Sequence, residues 1–228
     1  MDYFLCIETA TEVCSVAIGN REGIISHEET EKKNSHTETI TVFITRCLEA
    51  AELSLTDLTA IGISGGPGSY TGLRVGTSAA KGIAYGAGLP LIGVSTLAGL
   101  AYGIKSQASK GDLILPMIDA RRMEVYYSVF SDDFKELHPV NNMILEDNSL
   151  DEIGNGKRII VTGNGADKVD NRHYTGEIVH FPSYCNAINL ISICHDTWDA
   201  GITEDIAYYS PSYFKAPNIT KSKKNYFV

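Results

Sequence analysis

Metal-ligand pairs, cysteine pairs and long apolar runs are what this 228-residue sequence has little of. None of its six histidines, His27, His36, His138, His173, His180 and His195, belongs to a His-x-x-x-His pair, which argues against a zinc-peptidase helix. None sits beside a serine or cysteine in a recognisable nucleophile turn. The five cysteines, Cys6, Cys14, Cys47, Cys185 and Cys194, are odd in number and scattered, with no Cys-x-x-Cys. Buried free thiols fit that pattern better than a disulfide frame or a zinc knuckle. No apolar run nears the ~20 residues a membrane span needs, and Met1-Asp2-Tyr3 lacks the basic start of a signal peptide, so a cytoplasmic protein with no membrane contact is expected. Cations are scarce as well: 19 Lys and Arg stand against 28 Asp and Glu, a net charge of -9. Broad nucleic-acid binding rests on cations neutralising phosphates, so a wide phosphate-binding face is not expected.

What is present gathers between Ile61 and Pro90. A strand-like run, Ile61-Gly62-Ile63-Ser64, meets the turn Gly65-Gly66-Pro67-Gly68-Ser69-Tyr70-Thr71-Gly72, and a helix is expected from Gly72 to Tyr85 with Thr71 as its cap. Gly76 and Gly82 in its interior each cost about 1 kcal/mol relative to alanine. Gly72, Gly76, Ala80 and Ala84 fall four apart, and a groove of small side chains lets a second helix come close. A docking surface is the expectation.

Upstream, Ser35 to Leu53 has helical spacing, with Ile40, Phe43, Ile44, Cys47 and Leu48 on one stripe. That stripe alone fits a core helix better; its glycine-dotted neighbour tips the reading toward an exposed two-helix face. The expected face comprises His36, Ile40, Phe43, Ile44 and Cys47 with Gly72, Arg74, Val75, Gly76, Ser78, Ala79, Ala80, Lys81 and Ile83, Arg74 and Lys81 supplying charge at the rim.

In chain order, Phe4–Ile7 and Cys14–Gly19 read as a hairpin and Ile24–Thr30 as a third strand. A strand led in by Pro90 is followed by a helix over 96–102. The segment 106–112 is the most linker-like and divides a lobe at 1–105 from a second at 106–228, whose final part, from about 206, returns to the first. Leu113–Asp119 and Glu124–Phe130 repeat the opening hairpin, with an acid ending the first strand, and Asp119 and Arg121 are placed to pair across the turn. A buried strand at 158–162 feeds the turn Gly163-Asn164-Gly165, a weak nucleotide signal. An amphipathic helix at 187–198 is closed by Gly201, and an aromatic, extended tail at 208–215 precedes a basic run at 221–224.

Glu8-Thr9-Ala10-Thr11, His36-Thr37-Glu38, Gly65-Gly66-Pro67-Gly68-Ser69-Tyr70-Thr71-Gly72-Leu73-Arg74 and Asp119-Ala120-Arg121 with Glu124-Val125-Tyr126 together resemble the bacterial TsaB (YeaZ) family, the likeness running from the first strand to Lys215. It implies an α/β, two-lobed actin-like or sugar-kinase-like fold with mixed sheets. It also implies a non-catalytic subunit of the machinery that attaches threonylcarbamoyl to tRNA adenosine, needing no cofactor or metal of its own. The implied partners are the catalytic TsaD-type paralogue, a small TsaE-type ATPase, and a second copy through the same helices when the paralogue is absent; tRNA contact is indirect. In that superfamily the first hairpin carries a glycine against ATP phosphate; here no glycine stands between Glu8 and Cys14, and Glu12 adds an acid. The paralogue's two metal-binding histidines match onto Thr96 and Leu100. Residual nucleotide contact, if retained, falls to Glu8, Thr9, Thr11, Asp119, Gly163 and Gly165. The enzyme-class alternatives are a weak nucleotide hydrolase or kinase working through Glu8 and Asp119, and a glycoprotease-type peptidase; both need parts the sequence lacks.

Overall fold

In the computed structural model, which describes residues 1–30 and 36–215, the chain runs β1 (Phe4–Glu8), β2 (Cys14–Asn20), β3 (Gly23–Thr30), α1 (His36–Ala50), β4 (Ala60–Ser64), α2 (Tyr70–Ala87), β5 (Leu91–Val94) and α3 (Thr96–Gly103). It continues β6 (Leu113–Asp119), β7 (Glu124–Ser131), β8 (Glu136–Ile144), α4 (Asp151–Gly154), β9 (Ile159–Thr162), β10 (Ile178–His180) and α5 (Ile188–Asp199). Ser35, the side chain of His36 and the basic run 221–224 lie outside the described residues.

The strands form two mixed five-stranded sheets of one design, β3-β2-β1-β4-β5 and β8-β7-β6-β9-β10. In each, the first strand pairs antiparallel with the second and parallel with the fourth. This duplicated sheet is the two-lobed actin-like α/β fold expected from the sequence. β1 is buried along its whole length because both faces of its sheet are covered. Side chains alternate across a strand, so Leu5 and Ile7 join the cluster containing α1 and α2, while Phe4 and Cys6 join the cluster containing α5.

That packing overturns part of the docking surface. Ile40, Phe43, Ile44 and Cys47 are between 0 and 6 % exposed and pack on Leu5, Val16 and Ile61 within their own sheet's cluster. Burial pushes the Cys47 thiol up to about 11. The stripe Gly72, Gly76, Ala80 and Ala84 is buried too. A Cβ on Gly72 would lie 2.1 Å from the Thr9 carbonyl oxygen, and one on Gly76 would lie 2.2 Å from Thr9 Oγ1. The small residues let α2 descend onto β4 and onto Thr9, just past the end of β1, within its own chain. Ser69, not Thr71, caps α2, accepting from Gly72 N–H at 3.3 Å.

The division between lobes also differs from the sequence reading. Ala101 of α3 and Ile104, just after it, join a cluster with Ile114 and Ile160 of the second sheet, whereas α5 packs on β1 and β2 of the first, so the chain returns to the first lobe well before residue 206. α3 and α5 meet through glycines: a Cβ on Gly99 would lie 2.9 Å from Leu190, and one on Gly103 would lie 2.6 Å from Asn189. Helix-on-helix approach through small residues exists, but on α3, against α5 of the same chain. The five cysteines are free and buried.

Candidate functional site

The tips of the two repeated hairpins face one another across a cleft of about 760 Å³. From the first lobe it is lined by Thr11, Glu12 and Thr37 and by the loop into α2, Pro67 to Gly72. From the second it is lined by Asp119, Ala120, Arg121, Tyr126 and Asn164. The segment Ser212 to Lys215 runs along it.

Glu8, which ends β1, is 1 % exposed and does not line this cleft. Its Oε1 accepts from Ala10 N–H at 2.6 Å. Burial drives its pKa up from 4.5 to about 7, partly offset by hydrogen bonds from Ala10, Ser64 and Thr9. Ser64 continues inward to Thr96, oxygen to oxygen 2.7 Å, and Thr96 Oγ1 accepts from Gly66 N–H at 3.1 Å. Thr9 is also buried and donates to the Gly72 carbonyl at 2.9 Å. Glu8, Thr9 and Thr96 thus tie the hairpin, the glycine loop and the start of α3 together beneath the cleft floor.

Asp119, the matching acid of the second lobe, lies open to the cleft. Its Oδ1 accepts from Lys168 Nζ and from the backbone N–H of Arg121, each at 2.5 Å, while its own N–H donates to Asn164 Oδ1 at 2.9 Å. Partial burial would raise its pKa, but Lys168 and the Arg121 backbone outweigh that and hold it below the ordinary value. The expected Asp119–Arg121 side-chain pair is therefore replaced by Asp119–Lys168. Arg121 and Arg122 sit at φ +74° and +54°, in the left-handed region that glycine usually occupies in hairpin turns, which is why no glycine announces this one.

Of the residues expected to touch nucleotide, the cleft brings together Thr11 and Asp119. Glu8 and Thr9 are below its floor. Gly163 and Gly165 press on the backbone of Met117 and Ile118. The positions matched to the paralogue's metal ligands do not fit a metal: Thr96 Oγ1 is held by Ser64 and Gly66, and Leu100 is fully buried among Leu97, Ile118 and Cys185. Tyr70, Tyr126, Asn164 and Tyr213 to Lys215 also line the cleft; Tyr70, Tyr126 and Asn164 stood inside motifs without a role of their own, and only the run of aromatics signals the tail.

On the outer surface, Arg74, Ser78 and Gly82 of α2 are exposed, Ala79, Lys81 and Ile83 half-buried, and Val42 of α1 is 44 % exposed, while the half-buried Val75 lines the cleft. Arg74 donates to its own helix neighbour Tyr70 at 2.7 Å, and Lys81 donates to the carbonyls of Ala207 and Tyr209 at 3.3 and 2.9 Å, so both rim cations are engaged within the chain.

A family model described as TsaD, tRNA N6-adenosine threonylcarbamoyltransferase, matches residues 23–222. The chain belongs to that family. Within it the chain stands with the TsaB (YeaZ) proteins. It is 43 % identical over 131 residues to an Escherichia coli protein named tRNA threonylcarbamoyladenosine biosynthesis protein TsaB, covering 57 % of this chain and 55 % of that one. The Haemophilus influenzae TsaB is 38 % identical over 124 residues, 54 % of this chain and 52 % of that one. The chain thus spans about half the length of these curated relatives. YeaZ from Pseudomonas aeruginosa superposes with a TM-score of 0.77 at 22 % identity, covering 93 % of this chain and 100 % of that one, a likeness of fold. Among the described residues, no helix of this TsaD-family chain is long and apolar enough to cross a membrane.

Proposed function

We propose that this chain is a non-catalytic subunit in the biosynthesis of threonylcarbamoyladenosine in tRNA, pairing with a TsaD-type catalytic paralogue and working with a TsaE-type ATPase. The observation that carries the reading is the state of the hairpin acid and the matched metal positions. Glu8 is sealed from the cleft, Thr96 is committed to internal hydrogen bonds and Leu100 is apolar. The E. coli and H. influenzae names supply the pathway by likeness.

The pairing face is the outer side of α1 and α2, built on Val42, Arg74, Ser78, Ala79, Gly82 and Ile83, and a homodimer forms there when the paralogue is absent. Nothing lies within 4 Å of a Cβ placed on Gly82, so Gly82→Glu adds charge to this face without disturbing the fold. Coexpression with the host's paralogue followed by sizing tests the reading. The wild type is expected to coelute, and Gly82→Glu to melt at the wild-type temperature but elute alone. Coelution of the variant would remove the face. Calorimetry with ATP and magnesium addresses the enzyme alternative: micromolar binding with turnover by the isolated chain would replace the non-catalytic reading.

A further inference from the structure

The tail from Glu204 onward is fastened to the first lobe at successive points. Glu204 N–H donates to the Leu91 carbonyl at 2.8 Å, and Lys81 holds the carbonyls of Ala207 and Tyr209. The Tyr209 side chain fills a slot left by Gly65 and Gly93, where added Cβ atoms would lie 2.5 Å from its hydroxyl and 2.8 Å from its ring. Ser212 N–H then donates to the Gly65 carbonyl at 2.8 Å. Beyond this anchor the chain crosses the cleft. Tyr213 packs on Tyr70 of the first lobe with ring centroids 4.8 Å apart; one residue later Phe214 reaches Tyr126 of the second lobe at 6.2 Å. Lys215 closes the crossing with an ion pair to Glu124, which also accepts from Asn142 at 2.7 Å.

The order of these contacts is informative. Everything through Tyr213 touches the first lobe; Phe214 and Lys215 touch the second. The crossing happens at the cleft mouth, from the first turn of α2 to the hairpin of β6 and β7. We propose that Pro211–Lys215 is a strap that sets the opening of the cleft, anchored on the first lobe and latched to the second by Phe214 and Lys215. Lys81 lies on α2 and holds the anchor, so a change in that helix is transmitted to the latch. The proposal is independent of the pairing reading, because it concerns the isolated chain.

Phe214 is 41 % exposed and Lys215 is exposed, so their side chains can be shortened with little loss of core packing. The test is hydrogen exchange, read by mass spectrometry on the full chain, of the wild type, Lys215→Met and the double variant Phe214→Ser/Lys215→Ser. In the double variant, exchange of the cleft-lining amides in 119–124 is expected to rise roughly tenfold, while that of β1 stays unchanged. Lys215→Met, which removes a surface ion pair and cannot unfold the lobe, should raise it by about twofold. Wild-type exchange at 119–124 in both variants would overturn the strap, as would a rise spread equally over β1, which would mark general destabilisation.

Discussion

Glu8 ends the first strand of one lobe and Asp119 ends the first strand of the other, in sheets of identical strand order. Glu8 is 1 % exposed with its pKa driven up to about 7, whereas Asp119 faces the cleft with its pKa held down. The cause lies in the element that the fourth strand of each sheet leads into. In the first lobe β4 feeds α2, an 18-residue helix that presses on the hairpin so closely that a Cβ on its Gly72 would lie 2.1 Å from the Thr9 carbonyl, and the loop before it presses as hard, a Cβ on Gly68 lying 2.4 Å from the Ala10 carbonyl. In the second lobe β9 feeds a single turn at Ala166–Lys168, too short to roof the hairpin, and that turn supplies Lys168. Topology repeats the position of the acid; the covering element decides its chemistry. A long helix takes water away, and a short turn leaves water and adds a cation.

The largest expected effect comes from removing the buried acid. Because the folded-state pKa of Glu8 is raised, folding binds a proton between pH 4.5 and about 7. Its contribution is fully present below pH 4.5 and is lost as pH rises through about 7, roughly 3 kcal/mol in all at about 1.4 kcal/mol per tenfold change. Glu8→Gln keeps an acceptor for Ala10 N–H and cannot ionise. In urea unfolding it should match the wild type near pH 4.5 and exceed it at pH 8 by roughly that 3 kcal/mol. Parallel stability curves for the two proteins across this range would show that Glu8 is not charged at a cost in the folded state.

The next contrast asks whether the glycine loops press equally on both hairpins. Gly72→Ala would drive a Cβ to 2.1 Å from the Thr9 carbonyl, and Gly165→Ala would place one 2.8 Å from the Ile118 backbone. Overpacking of this kind costs about 1–3 kcal/mol, with the shorter approach at the upper end. Chemical unfolding at pH 7 should therefore rank Gly72→Ala as the more damaging. Equal losses would mean that α2 shifts outward as easily as the short turn does.

Those two glycines also mark where the sequence was legible and where it was not. Strand alternation and the repeat of an acid at the end of a first strand placed both hairpins, helical spacing and the glycine turn placed α1 and α2, and the family resemblance supplied the two-lobed actin-like fold. Spacing could not say which way the stripe Gly72–Gly76–Ala80–Ala84 points, because a helix that approaches its own sheet closely and one that receives a partner need the same small residues. Thr9, 63 residues earlier, is what fills the groove, and only tertiary structure brings it there. The glycines that do admit another helix, Gly99 and Gly103, are also four apart, but in an eight-residue helix too short for the spacing to stand out. Lys168 was missed for a similar reason: 49 residues separate it from Asp119, and nothing local pairs them. The tail's course over the cleft was legible only as a cluster of aromatics.

The smallest effect is expected at Asp119. Its side chain is 44 % exposed, and exposed ion pairs contribute about 0–1 kcal/mol even where geometry is good. The lowered pKa means that its contribution is present above the unfolded value near 3.8 and fades as pH falls below it. Asp119→Asn should cost less than about 1 kcal/mol at pH 7, and the cost should shrink further in high salt. At pH 3 the variant and wild type should converge. A double-mutant cycle with Lys168→Met isolates the pair from the backbone contact to Arg121 N–H, which the asparagine oxygen can still accept. If Asp119→Asn shifted stability by as much as Glu8→Gln, with no response to salt, Asp119 would have to be sealed in solution, and the contrast between a roofed and an open hairpin would disappear.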